Sequence, residues 1–224
     1  MRDGLGRDIR YLRLSVTDKC NCRCTYCMPA EGVQCIDHSQ IMRYEEILQL
    51  CKVFHELGVR KFRFTGGEPL VRKGLVPFLK ELKSQLPDIK TALTTNASLL
   101  SQYAAELAEA GLHSINVSLD TLDPDKFSSI TRIGDINSVL GGIKAAKEAG
   151  IRNIKLNAVL MKGFNDGEVP SLLKFARAEG LRRHRGARVG AAAGTLPHRA
   201  RAARRLPPCA GGGRAGLGRR PVRA

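Results

Sequence analysis

Five short β-type runs, each followed by a helix-type run, constrain this chain more than any other feature. The runs are YLRLSV (11–16), KFRFT (61–65), KTALTT (90–95), SINVSL (114–119) and NIKLNAVL (153–160). Helical patterns follow over 44–57, 75–85, 101–110, 137–149 and 168–179. Glycines at 58, 111 and 150 close three of these helices, the usual C-terminal stop. Strand then helix, repeated in this way, predicts βαβ units and a parallel sheet.

The strands carry a second constraint. A parallel sheet covered on both faces reads as nearly continuous Val, Ile and Leu. These strands alternate instead: Leu12, Leu14 and Val16 oppose Arg13 and Ser15, and Phe62 and Phe64 oppose Arg63 and Thr65. Leu93 opposes Thr94 and Asn96; Ile115, Val117 and Leu119 oppose Asn116, Ser118 and Asp120; Ile154 and Leu156 oppose Lys155 and Asn157. The apolar face must meet the helices, so the polar face lines a lumen. A closed eight-stranded barrel fills its lumen with branched apolar side chains. A polar lining therefore predicts a ligand cavity in a partial, open TIM-type (β/α) barrel, incomplete at the C-terminus. An antiparallel sheet with one wet face would alternate too, but the intervening helices argue against it.

The net charge of +16 does not belong to this part of the chain. Residues 1–181 hold 25 basic and 21 acidic groups, a net +4. From Arg182 onward, 43 residues include 12 Arg, 10 Ala, 8 Gly and 4 Pro, with no Lys, Asp or Glu. Such a segment buries too little apolar surface to offset its ordering entropy, so disorder is expected over 182–224. A frameshifted reading of GC-rich DNA would produce this composition. The alternative is a basic arm binding nucleic acid non-specifically. No apolar run approaches the length of a membrane span, and the N-terminus is too polar for a secretory signal. A cytoplasmic location is the expectation, and there a dense cysteine cluster points to metal or catalysis rather than disulfides.

That cluster is TDKCNCRCTYC (17–27), on the loop after the first strand. Cys20, Cys24 and Cys27 have the spacing C-x3-C-x2-C, which can wrap a [4Fe–4S] cube and leave one iron open to a small molecule. A four-thiolate zinc site that includes Cys22 is the competing reading. TGGEPL (65–70) follows the second strand, and two adjacent glycines let backbone approach a ligand closely. Cys51 falls in a helical pattern and reads as a core residue; Cys35 receives no role.

The cysteine spacing, with Tyr26 before the third cysteine and GGEP after the second strand, resembles the radical S-adenosylmethionine (SAM) superfamily. More narrowly, GRDIRYLRLSVTDKCNCRCTYCMP, KFRFTGGEPLVRK, LTTNASLL, AGLHSINVSLDTLDP and IKLNAVLMKGFND resemble the GTP 3′,8-cyclase family across residues 4–181. That family opens molybdenum cofactor biosynthesis as a lyase. The resemblance implies Cys20, Cys24 and Cys27 as cluster ligands. It implies Tyr26, Gly66, Gly67, Glu68 and Ser118 around SAM, and Arg13, Arg63, Thr94 and Lys155 on GTP. In that family the open iron chelates SAM, and one electron releases a 5′-deoxyadenosyl radical that takes a substrate hydrogen. The implied partners are GTP and an electron donor, with a homodimer left open.

The chain also departs from the family. Cys22 stands where leucine is usual, and Ala97 replaces the glycine of TTNG. The family's second cluster needs three C-terminal cysteines, and only Cys209 follows residue 181, so that cluster is not expected. Weak or absent cyclase activity is expected in consequence. Another radical SAM enzyme with a different small substrate, or a non-catalytic iron–sulfur or metal-binding remnant, are the alternatives.

Overall fold

The computed structural model describes residues 2–33, 36–183 and 188–190. Cys35, Cys209 and the tail over 191–224 lie outside the described residues. The order is β1 (Tyr11–Ser15), α1 (Tyr44–Glu56), β2 (Lys61–Thr65), α2 (Leu75–Gln85), β3 (Lys90–Thr95), α3 (Leu100–Glu109) and β4 (Ser114–Ser118). Then come α4 (Pro124–Thr131), α5 (Ile136–Glu148), β5 (Ile154–Asn157), β6 (Val159–Met161), α6 (Val169–Ala178), β7 (Arg182–Arg183) and β8 (Arg188–Gly190). The main sheet runs β1-β2-β3-β4-β5-β7, parallel at every pairing, and its first and last strands are not joined. It is an open α/β barrel, as the alternation predicts.

The apolar face is the core. Phe62, Phe64, Leu93, Ile115, Val117 and Ile154 are buried there against Leu79 and Leu82 of α2, Leu107 of α3 and Ile143 and Ala146 of α5. The glycines after α1, α3 and α5 take left-handed φ of 94°, 70° and 86°, which ends each helix and turns the chain toward the next strand.

Three features differ from the sequence reading. The run 153–160 is two strands, not one. Val159 N–H is captured by the Asp120 carboxylate at 2.7 Å, and Val159 C=O accepts from the buried Asn165 amide at 3.0 Å. Those bonds turn the chain out of the main sheet at Ala158, and β6 pairs with β8 in a small side sheet. A helix was also missed: α4 starts on Pro124, with Asp123 accepting from the backbone of Asp125 and Lys126. Finally, Arg182 and Arg183, past the boundary drawn from composition, pair with Lys155 and Leu156 as a sixth strand of the sheet. Among the described residues, no helix is long and apolar enough to cross a membrane.

Candidate active site

The cysteine loop leaves β1 at Thr17 and is held by its backbone at both ends. At its start, Gly67 N–H donates to Thr17 O (2.9 Å) and Glu68 N–H to Lys19 O (2.8 Å). At its far end it is carried by α4: Arg23 N–H donates to Thr131 O and Thr25 N–H to Ile130 O. The Arg132 guanidinium then bonds Arg23 O and Met28 O. The glycines of GGEP are required by this junction. A Cβ on Gly66 would meet Thr17 O at 2.3 Å, and one on Gly67 would meet Lys19 O at 2.3 Å. The close approach expected from the sequence is therefore made first to the cysteine loop itself.

Within the loop, Cys27 and Met28 N–H both donate to Cys24 O, a helical turn that carries the chain back past Cys24. Cys20 and Cys24 are half-buried and Cys27 is more open, whereas Cys22 is only 3% exposed. Cys22 Sγ accepts from Asn96 Nδ2 at 3.3 Å, and Asn96 is tied through Asn21 and Ser98. A side-chain hydrogen bond from Cys22 pulls the Cys20 thiol down to about 6 and lowers that of Cys24. Partial enclosure, then the facing sulfurs of Cys24 and Cys20, push Cys27 up. Two of the three cysteines are thus biased toward the thiolate that binds iron.

A small cleft of about 30 Å³ is lined by Cys22, Cys24, Tyr26, Asn96, Ser118 and Asp120, together with Phe127 and Thr131 of α4 and Val139 of α5. It brings together three residues expected at the site, Cys24, Tyr26 and Ser118. Tyr26 OH donates to Asp120 Oδ2 at 2.6 Å. Burial pushes the Asp120 carboxyl up, while the bonds from Tyr26 and Val159 hold it down. Asp120 and Asn96 stand on the polar face in the sequence reading but receive no role there; their positions one residue past β3 for Asn96 and two past β4 for Asp120 were the available signal. Glu68 is placed differently from a ligand-facing residue. Its carboxylate is 1% exposed and accepts from Leu70 N–H, Thr95 Oγ1 and Asn96 N–H, locking the GGEP turn to the end of β3. Burial outweighs those bonds and pushes its carboxyl up to about 7.

Below the cleft, the sheet register sorts the polar face into rows. Arg13 pairs with Arg63, and two residues nearer the mouth Thr94, Asn116, Lys155 and Arg182 share a row. The spacing between rows is about 7 Å. Arg63 is buried and donates to Leu93 O (2.8 Å) and Thr94 Oγ1 (3.2 Å), while Arg13 reaches Thr65 Oγ1 at 3.4 Å. Lys61, a cation the sequence reading passed over, shares this face one pleat deeper. Burial and the charges of Arg63, Lys155 and Lys90 lower its pKa. Its i, i+2 relation to Arg63 would have found it.

The radical SAM superfamily matches residues 14–176, most of the chain, including the cysteine loop and the GGEP turn. The chain belongs to the radical SAM superfamily. Its curated relatives include GTP 3′,8-cyclases from Petrotoga mobilis, 50% identical over 176 residues, and Rhizobium etli, 52% identical over 183. These alignments cover 78% and 81% of this chain but 54% and 52% of the relatives, so the chain spans about half their length. Solved radical SAM structures share the fold. Streptococcus suis SuiB bound to S-adenosylmethionine has a TM-score of 0.63 at 22% identity, covering 78% of this chain and 38% of that one. Methylornithine synthase has a TM-score of 0.61 at 16% identity, covering 78% and 52%.

The donor set fits the cluster that a radical SAM protein implies. Among the described residues, no three His, Cys, Asp or Glu side chains close on a single metal ion. Three thiolates at C-x3-C-x2-C spacing suit a cube, which takes one on each of three irons. Cys20, Cys24 and Cys27, the C-x3-C-x2-C set, are the three expected to hold it; Cys22 Sγ meets Asn96 as well as the thiols of Cys20 and Cys24.

Proposed function

We propose that this chain carries the cluster-binding, SAM-binding and triphosphate-binding part of a GTP 3′,8-cyclase, in which GTP becomes 3′,8-cyclo-7,8-dihydroGTP. The observation that carries this reading is the row of cations under the cysteine loop. Arg13 and Arg63 are paired neighbours, Lys155 lies one row up, and the lumen holds no acidic residue at the matching register positions. A polyanion is what such a lining suits, through charge-assisted hydrogen bonds. The identity of about half to curated cyclases, over 176 and 183 residues, supports GTP as that polyanion.

When bound, the cluster and SAM supply the electron and the organic radical that remove a hydrogen from the substrate. The chain's own residues do the rest. Cys20, Cys24 and Cys27 hold the cluster. Tyr26, fixed by Asp120, and Ser118 line the space between cluster and lumen, with Gly66, Gly67 and Glu68 as the turn that shapes its rim. Arg13, Arg63, Thr94 and Lys155 hold the triphosphate and so set which ribose carbon faces the cleft. The barrel runs from the first strand through the sixth at Arg182–Arg183 in this reading, in a cytoplasmic protein that draws electrons from a partner.

Anaerobic reconstitution tests the proposal. About four iron and four sulfide per chain are expected, with SAM cleaved to 5′-deoxyadenosine under dithionite and GTP bound competitively with its triphosphate analogues. Cyclic product formed from GTP is the third readout. A colourless protein carrying one zinc, or SAM cleavage indifferent to GTP, would overturn the assignment.

A further inference from the structure

A second cleft adjoins the start of the cysteine loop. It is lined by Val16, Thr17 and Lys19 of the loop's start, Ser39, Ile41 and Arg43 before α1, and Val71, Arg72 and Lys73 after the GGEP turn. Four of its nine lining residues are cations and none is acidic. Two of the four have structural partners. Arg72 donates to Val16 O and Met42 O and stacks on the Tyr44 ring, and Arg43 is drawn to Glu46 at 3.8 Å. Lys19 and Lys73 are exposed and enter no ion pair given for the described residues. Both therefore present their ammonium groups to solvent at the cleft.

The position of this cleft gives the charge a meaning. Lys19 immediately precedes Cys20, and its own carbonyl is bonded to Glu68 N–H, so it belongs to the rigid part of the loop. The lumen side of the cysteines is occupied, in the function proposed above, by SAM and substrate. An electron carrier must then approach from another direction, and this cleft is the concave basic surface adjoining a cluster ligand. We propose that the cleft around Lys19, Arg43 and Lys73 is the docking surface for an acidic one-electron carrier protein. The inference rests on the cluster assignment of the preceding section. On docking, the carrier is oxidised by one electron and the cluster reduced by one, with no atom transferred. Long-range attraction between a basic cleft and an acidic carrier acts mainly on the association rate and is screened by salt.

The test uses the full chain, an acidic flavodoxin as the probe, and the double variant Lys19→Glu with Lys73→Glu. The basic tail would attract any acidic protein, so a variant of equal charge change elsewhere, Lys144→Glu with Lys174→Glu on α5 and α6, is the control. Two measurements are made: flavodoxin binding by titration at low and high salt, and the rate of cluster reduction by reduced flavodoxin against that by dithionite. Reversal at Lys19 and Lys73 should slow flavodoxin-driven reduction about tenfold or more at low salt and weaken binding in parallel. Iron content should stay unchanged, reduction by dithionite, itself a small anion, should slow far less than flavodoxin-driven reduction, and the control variant should behave as the parent. Equal loss in both variants, or none in either, would overturn the docking surface. If the chain takes up no cluster, the proposed function fails, and the binding titration alone still decides whether this cleft is where the carrier sits.

Discussion

Ala97 holds φ at +62°, a left-handed backbone that costs a non-glycine residue about 1–2 kcal/mol. The sequence marked this turn as one favouring glycine, and the structure shows why: Ala97 N–H must reach Thr95 Oγ1 while Asn96 reaches the cysteine loop. Ala97→Gly should raise stability by about 1 kcal/mol, read as a higher midpoint of thermal unfolding with iron content unchanged. Cys22→Leu should likewise leave iron content as it is, because Asn96 keeps its bond to Asn21; Cys24→Ser should lower it. Glu68 makes a prediction in pH. Its folded pKa, about 7, lies above the ordinary value of 4.5, so the folded state holds the proton more tightly. Stability from this group is full below about pH 4.5 and is lost as pH rises through 7, by an amount on the order of 3 kcal/mol. Glu68→Gln should flatten that part of the stability–pH curve. It should also destabilise the fold, since an amide nitrogen facing the N–H donors of Leu70 or Asn96 leaves them unpaired.

At the scale of elements, the site is made by junctions between loops. β1 and β2 end side by side, and their loops touch backbone to backbone at Gly66 and Gly67. Gly66→Ala or Gly67→Ala would drive a methyl into a carbonyl oxygen at 2.3 Å. An overpacking cost of about 1–3 kcal/mol is expected, together with a fall in iron incorporated on reconstitution, because the displaced carbonyls belong to the cysteine loop. Helix α4 supports the other end of that loop, and it was not read from the sequence. Its eight residues are short, and the preceding strand's Leu-Asp-Thr-Leu-Asp run reads as a simple continuation of loop. The cue was Asp123 before Pro124, a cap and a first-turn proline together.

At the scale of the molecule, one face of the sheet is the apolar core and the other carries the cations proposed to hold the triphosphate. Removing a cation from the second face should separate those roles. Lys155→Ala is expected to weaken GTP binding about tenfold to a hundredfold, the loss of one charge-assisted bond, with little change in unfolding temperature. Arg63→Ala should do both, because its guanidinium also bridges β2 to β3 through Leu93 O and Thr94 Oγ1. Titration of GTP and thermal unfolding of both variants, compared side by side, check this.

Much of this was legible from one dimension. The alternation of strands with helices determined the layered α/β architecture, because each strand's apolar side needs a helix to cover it. The two-residue period determined which side chains share the lumen, and the cysteine spacing determined where a cluster would be. The tertiary structure alone decided the rest. It broke the 153–160 run in two, because the bonds that do so come from Asp120 and Asn165, which no local pattern joins to Val159. It turned Glu68 inward, because Thr95 and Asn96 lie 27 and 28 residues away along the chain. It also set Lys19, Arg43 and Lys73 around one cleft. A periodic pattern reports only where a residue stands on its own element; which loop ends meet depends on how the sheet twists and closes, and that is written in contacts rather than in spacing.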